Sequence, residues 1–141
     1  MSTYADTSFL VSLYLPDPHS LEAERRMASH PAIWLTPLHV AEWAHAVEQH
    51  VFRKTISRAE ADRCHQRFQQ HWESRLWVEV AVPESAFALC ARLARRHGAR
   101  LGLRTLDTLH VASALELRAE RFWTFDEQQK RLARAVGLKT A

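Results

Sequence analysis

Four short apolar runs in this chain each end at a residue suited to starting a helix. That alternation restricts the fold more than any other feature. Residues 3–5 lead into Asp6, Ala32–Leu35 into Thr36-Pro37, 76–82 into Pro83, and 122–125 into Asp126. Asp and Thr accept the free N–H groups of a first helical turn, and Pro suits its first position. Helical segments follow. Phe9, Leu10, Leu13 and Tyr14 are helically spaced up to Pro16 and Pro18, and a second helix covers 19–29. The helix opened by Thr36 runs toward Lys54. Ser57-Arg58-Ala59-Glu60 is a capping box that opens another through about Glu73. So brief a connection predicts an αα-hairpin. Further helices are predicted from Pro83 to Arg96 closed by Gly98, from a Thr105 cap to about Ala119, and from Asp126 to Gly137. Strands separated by helices predict an α/β fold, with a short parallel central sheet flanked by helices on both faces. The 141 residues suit a single domain, 1–141.

Composition narrows the chemistry. Cys64 and Cys90 stand alone, which excludes a disulfide framework or a zinc ribbon. The nine histidines include no HxxxH or HExxH. His45 and His50, like His65 and His71, do not share a helical face, so they read as solvated or partly buried side chains. No apolar run approaches the ~18 residues of a membrane span. The N-terminus carries Asp6 and no Lys or Arg before Arg25, unlike a signal peptide. A cytoplasmic chain with reduced thiols is expected. With 19 Lys and Arg against 16 Asp and Glu, the net charge of +3 permits nucleic acid as a partner.

The placement of the acids is more informative than their number. Asp6 and Asp126 each follow a predicted strand and precede a helix, and Asp107 lies in the first turn of its helix. In open α/β sheets such junctions are where ligands bind. Glu42 interrupts the apolar stretch Leu38, Val40, Ala41, Trp43, Ala44 and Val47. At helical spacing it shares a face with Leu38 and Ala41 and is expected to point inward. Taken singly, Asp6 and Asp126 are plausible N-caps, and Asp107 suits a helix N-terminus. Taken together, four carboxylates in one cleft would repel and raise one another's pKa. Divalent cations resolve that conflict, and oxygen donors suit Mg²⁺ or Mn²⁺ rather than zinc.

Ordered along the chain are Tyr4-Ala5-Asp6-Thr7-Ser8, Val40-Ala41-Glu42, Arg104-Thr105-Leu106-Asp107-Thr108-Leu109-His110-Val111-Ala112-Ser113-Ala114, Thr124-Phe125-Asp126, and the tail Leu132-Ala133-Arg134-Ala135-Val136-Gly137-Leu138. In this set the chain resembles the PIN-domain ribonucleases, in particular the VapC type of toxin from toxin–antitoxin pairs. The resemblance implies a metal-dependent endoribonuclease in which Asp6, Glu42, Asp107 and Asp126 are the catalytic, metal-binding acids. It places Ser8 and Thr124 at supporting hydroxyl positions. It implies Mg²⁺ or Mn²⁺, an RNA substrate, a homodimer and a small inhibitory antitoxin. One departure stands out: where some relatives carry a further acid, this chain has Gln128 and Gln129.

Other features fit that expectation less specifically. Arg53, Lys54, Arg58, Arg63 and Arg67 on the hairpin, and Arg92, Arg95, Arg96, Arg100 and Arg104 beyond it, are either phosphate ligands or solvated helix faces. His110 reads as a packed or hydrogen-bonded histidine rather than a ligand. Phe68 and Trp72 share a face with Cys64 and Ala61, a core or partner-facing stripe. With Trp43 and Phe52 they predict an apolar groove suited to an amphipathic antitoxin helix, beside acids suited to a partner's Arg. Two alternatives are a Mg²⁺-binding phospho-acceptor domain and a PIN module that binds RNA or protein without catalysis. The first would want an acidic neighbour for Asp6 and a Lys after a late strand, and neither is evident.

Overall fold

The computed structural model describes residues 1–141. Strands β1 (Ser2–Ala5), β2 (Ala32–Leu35), β3 (Trp77–Glu79) and β4 (Arg121–Trp123) form one sheet in the order β3-β2-β1-β4. Every pairing is parallel. Parallel neighbours cannot be joined by a tight turn, so helices make each crossover. Helices α1 (Thr7–Tyr14) and α2 (Ser20–Met27) link β1 to β2, and α3 (Pro37–Phe52) and α4 (Arg58–Glu73) link β2 to β3. Between β3 and β4 come α5 (Ser85–Leu93), a π-helical turn (Ala94–Gly98), α6 (Ala99–Leu101) and α7 (Thr105–Glu116), and α8 (Glu127–Ala135) follows β4. No helix is long and apolar enough to cross a membrane.

The period-two alternation of the strands divides the core into two layers. Ala5, Ile33, Leu35 and Trp123 face one layer with Phe9, Leu10, Tyr14 and Trp43. Tyr4 and Phe122 face the other with Leu109, Val111, Ala112 and Leu132. Helices therefore cover both faces of the sheet.

The starts of α1, α3, α4 and α8 follow their capping residues closely. Thr36 Oγ1 accepts the Leu38 N–H, and Pro37 is the first helical residue. Ser57 and Glu60 form the capping box of α4. This cap is exposed, so Ser57→Ala is expected to cost only the cap itself, about 1 kcal/mol. A denaturant titration of the pair measures it; an unchanged midpoint would mean that α4 does not depend on its first turn.

Three local expectations are corrected. Gly98 does not close the helix begun after Pro83: its φ is −62° and the backbone continues through the π-helical turn. Gly102, with φ +62°, makes the left-handed stop that glycine favours. Thr105 is not a cap, because Arg104 is the extended residue before α7. The third concerns the hairpin aromatics. Trp43 and Phe68 are buried against Tyr14, with ring centroids 4.7 and 5.8 Å from it, so α1 receives much of the stripe. Phe52 instead projects into solvent. A groove of about 440 Å³ remains, lined by Pro37, Val40, Trp43, Ala44, Phe68 and Trp72 among others.

Candidate active site

Asp6 is the residue immediately after β1, and its N–H extends the ladder to Trp123 C=O at 3.0 Å. Its side chain caps α1. Oδ1 accepts the Phe9 N–H at 3.1 Å and the Ser8 hydroxyl at 2.7 Å, and Oδ2 lies 2.8 Å from Thr124 Oγ1. The residue is 5% exposed and has no ion-pair partner. Burial pushes its carboxyl pKa up, and the hydroxyls, the nearby His110 and the Phe9 N–H offset that only in part.

Thr124 connects Asp6 to the other side of the edge. Its Oγ1 accepts the Asp126 N–H at 2.9 Å and also lies 2.7 Å from Gln129 Oε1. Asp126 caps α8 by accepting the Gln129 N–H at 2.8 Å. Gln129 is fully buried and donates from Nε2 to the Asp107 carbonyl at 3.0 Å. Asp107 accepts from Arg104 at 3.2 Å.

Glu42 comes from α3. Its Oε1 accepts the Thr7 hydroxyl at 2.9 Å and also His110 Nε2. On its other ring nitrogen, His110 meets the Tyr4 hydroxyl at 2.7 Å. A carboxylate can only accept here, so Nε2 carries a proton, and Nδ1 pairs with the Tyr4 hydroxyl. Burial raises the Glu42 pKa, but the His110 contact and the Thr7 hydroxyl outweigh it and leave the carboxyl below its usual range. Glu42 is half-buried as its place in an apolar stretch suggests, although Ala41 is exposed and does not share its environment.

A cleft of about 600 Å³ opens over this edge. Glu42 lines it, together with Thr7 and Ser8 beside Asp6, Arg104 beside Asp107, and Phe125 beside Asp126. The four acids are linked through Thr7, Thr124 and Gln129, but no three His, Cys, Asp or Glu side chains form a single group able to hold a metal ion. Each acid instead faces its own protein donor, and like charges gain nothing from closer approach.

Sequence reasoning singled out Ser8 and Thr124, and both bond to Asp6. It read Gln129 as a missing acid and overlooked its bridging role. The available signal was its position three residues after Asp126, on the inward side of a capped helix. His110 is a hydrogen-bonded core histidine, as read, but its tie to Glu42 spans 68 positions and leaves no local pattern.

The family model described as "PIN domain" matches residues 3–135. Among curated proteins no sequence matches significantly. FitAcB from Neisseria gonorrhoeae is a similar solved structure, at TM-score 0.73 and 17% identity, covering 98% of this chain and 95% of that one. VapC20 from Mycobacterium tuberculosis, a Sarcin-Ricin loop cleaving toxin, matches at TM-score 0.70 and 17% identity, covering 96% and 95%. VapBC2 from Rickettsia felis, bound to a DNA fragment from their promoter, matches at TM-score 0.69 and 16% identity, covering 100% and 98%.

Proposed function

The chain belongs to the PIN-domain family, and from that premise we propose that it is a divalent-metal-dependent endoribonuclease, the toxin of a toxin–antitoxin pair. Asp6 carries this reading. It is a buried carboxylate with its pKa pushed up, held by hydroxyls and a backbone N–H, and paired with no cation. Oxygen donors in that situation fit Mg²⁺ or Mn²⁺. Asp6 and Asp107 would hold the metal, with Glu42 and Asp126 binding it or orienting water. When bound, such a metal makes a water nucleophilic near neutral pH and neutralises charge on the phosphodiester.

The chain's own groups do the rest. Ser8 and Thr124 fix the plane of the Asp6 carboxylate. His110 and Thr7 both occupy Glu42 Oε1, so Oε2 is left as the atom that can accept a proton from water. Gln129 ties the α7 and α8 starts together and so sets the spacing of Asp107 and Asp126. RNA as substrate is supported by charge: residues 85–106 contain Arg92, Arg95, Arg96, Arg100 and Arg104 and no Asp or Glu. That segment leads directly to Asp107. Phosphate binding by such a segment is salt-sensitive and independent of sequence.

Incubation of RNA with the protein in Mg²⁺, Mn²⁺ or excess EDTA tests the reading. Cleavage in either metal and none in EDTA is expected; equal cleavage in EDTA would refute it. His110→Ala is expected to raise the Mg²⁺ concentration needed for cleavage about tenfold, the usual scale for losing a group that orients a ligand. An unchanged Mg²⁺ dependence would mean that Glu42 does not rely on His110.

The same reading supplies partners. The protein would act as a homodimer and be inhibited by a small antitoxin. The similar FitAcB and VapBC2 structures support a partner protein. The groove between α3 and α4 suits the apolar face of a short helix. Co-expression with a small neighbouring gene should give a complex in which cleavage is suppressed. A complex that cleaves as fast as the free protein would overturn the inhibition.

A further inference from the structure

Two rings that line the cleft alongside Glu42 are stacked on each other. His19 lies on Phe125 with centroids 4.4 Å apart and planes 6° from parallel. His19 is exposed and lines the cleft, while Phe125 is half-buried. Phe125 also packs against the Phe9 ring, 5.8 Å away and 23° from parallel, and the Arg26 guanidinium, 5.2 Å from the ring centroid. His19 is therefore the exposed ring of a pair whose inner ring is itself packed.

The backbone beneath it is fixed as well. Asp17 Oδ1 accepts the His19 N–H at 2.7 Å, and Asp17 Oδ2 accepts the Ser12 hydroxyl of α1 at 2.7 Å. Ser20 donates to the Leu15 carbonyl at 3.1 Å, and its Oγ accepts the Asp17 N–H at 2.9 Å. Donors of the loop and of α1 thus engage the Asp17 carboxylate. Two arginines also line the cleft. Arg53 ends α3 and has no ion-pair partner, and Arg104 is 83% exposed at its side chain.

We propose that this part of the cleft is a nucleobase subsite: a base of single-stranded RNA stacks on His19, while Arg53 and Arg104 take the adjoining phosphates. The proposal rests on the nuclease reading for its choice of RNA, but the stack and Arg53, which has no ion-pair partner, stand independently of the carboxylates, while Arg104 also pairs with Asp107. A flat ring in a cleft that also carries cations is the arrangement that holds single strands. Base-paired RNA keeps its bases stacked on one another and cannot use such a ring. Nothing in the stack reads base edges, so preference among bases would follow stacking strength.

Binding measured in EDTA tests this without turnover. The probes are a ten-nucleotide oligoadenylate and, as a ligand with phosphates and no bases, inorganic polyphosphate. His19→Ala is expected to lose about tenfold in affinity for oligoadenylate, the scale of one stacked base, with polyphosphate binding unchanged. His19→Phe should restore it. Arg53→Gln should weaken both ligands alike. Equal affinity of wild type and His19→Ala for oligoadenylate, or failure of His19→Phe to restore binding, would overturn the subsite. If RNA is cut in Mg²⁺ but His19→Ala binds normally, the subsite fails and the nuclease stands. If the ring dependence is found but no cleavage occurs in Mg²⁺, the nuclease reading fails and the subsite stands.

Discussion

Asp6→Asn is expected to abolish the proposed RNA cleavage and to raise the melting temperature of the metal-free protein. The two effects have one cause. The carboxylate is buried, with its pKa pushed up by desolvation, so its ionised form destabilises the folded state. Asn keeps the shape and removes the charge. Its Oδ1 can still accept from Ser8 and Phe9. Its amide also improves the contact with Thr124. The Thr124 hydroxyl faces both Asp6 Oδ2 and Gln129 Oε1, and one proton cannot satisfy two acceptors. An amide at position 6 donates to Thr124 Oγ1 and frees that proton for Gln129.

The sign with pH follows from the raised pKa. The stability that protonated Asp6 contributes is present at low pH and is lost as pH rises through the folded-state value. The gap between Asp6→Asn and wild type should therefore widen as pH rises. Mg²⁺ should narrow or reverse it. A metal bound only by the folded wild type stabilises it by about 2.7 kcal/mol at a hundred times its Kd. Cleavage should fall by on the order of a thousandfold, the scale of losing a preorganised charge at a reacting centre. Thermal melts from pH 5 to 8, with and without Mg²⁺, check the stability half. A variant less stable than metal-free wild type across that range would mean that the Asp6 charge is already compensated.

His39 gives the second large effect, which concerns acid. Fully buried on α3, it donates from Nε2 to the Ala5 carbonyl at 2.7 Å and accepts the Thr36 N–H at Nδ1, 2.9 Å away. Both nitrogens are thus committed in the neutral form. Burial first, and then the nearby His110, push its pKa down to about 3. A histidine whose folded pKa is depressed stabilises the fold above its unfolded value of 6.5 and loses that contribution as pH falls toward the folded value. The loss reaches roughly 3 kcal/mol by pH 4, at about 1.4 kcal/mol per pH unit. His39→Gln isolates it. Glutamine at this third helical position can complete the capping box with Thr36 and does not titrate. Between pH 6.5 and 4 its stability should fall more gently than wild type's. Parallel curves would show that other groups govern acid unfolding.

The caps and strand starts could be read from the sequence because they are local. Thr36-Pro37 and Ser57 to Glu60 define their helices within four residues. Ala32–Leu35 is a strand from its apolar run alone. The end of the helix after Pro83 could not be read, because Gly98 and Gly102 look alike until the backbone assigns the positive φ to the second. β3 is shorter than its apolar run of 76–82, since β2, its only partner, is four residues long. The site divides in the same way. Asp6 and Asp126 stand out at strand-to-helix junctions. The ties Glu42–His110 and Gln129–Asp107 join residues distant in sequence and exist only once the sheet is built. The hairpin aromatics misled for a related reason. Amphipathic spacing shows that a face is apolar, but it does not show that α1 is the element covering it.

The most direct test of the carboxylate site is a Mn²⁺ titration followed by electron paramagnetic resonance, comparing wild type with Asp6→Asn. Wild type should bind at least one Mn²⁺ at up to millimolar concentration, and Mg²⁺ should displace it. Asp6→Asn should bind at least about tenfold more weakly, the lower scale for disrupting a metal site. No bound Mn²⁺ on wild type at millimolar metal, or equal binding by the two proteins, would contradict a metal site built on Asp6.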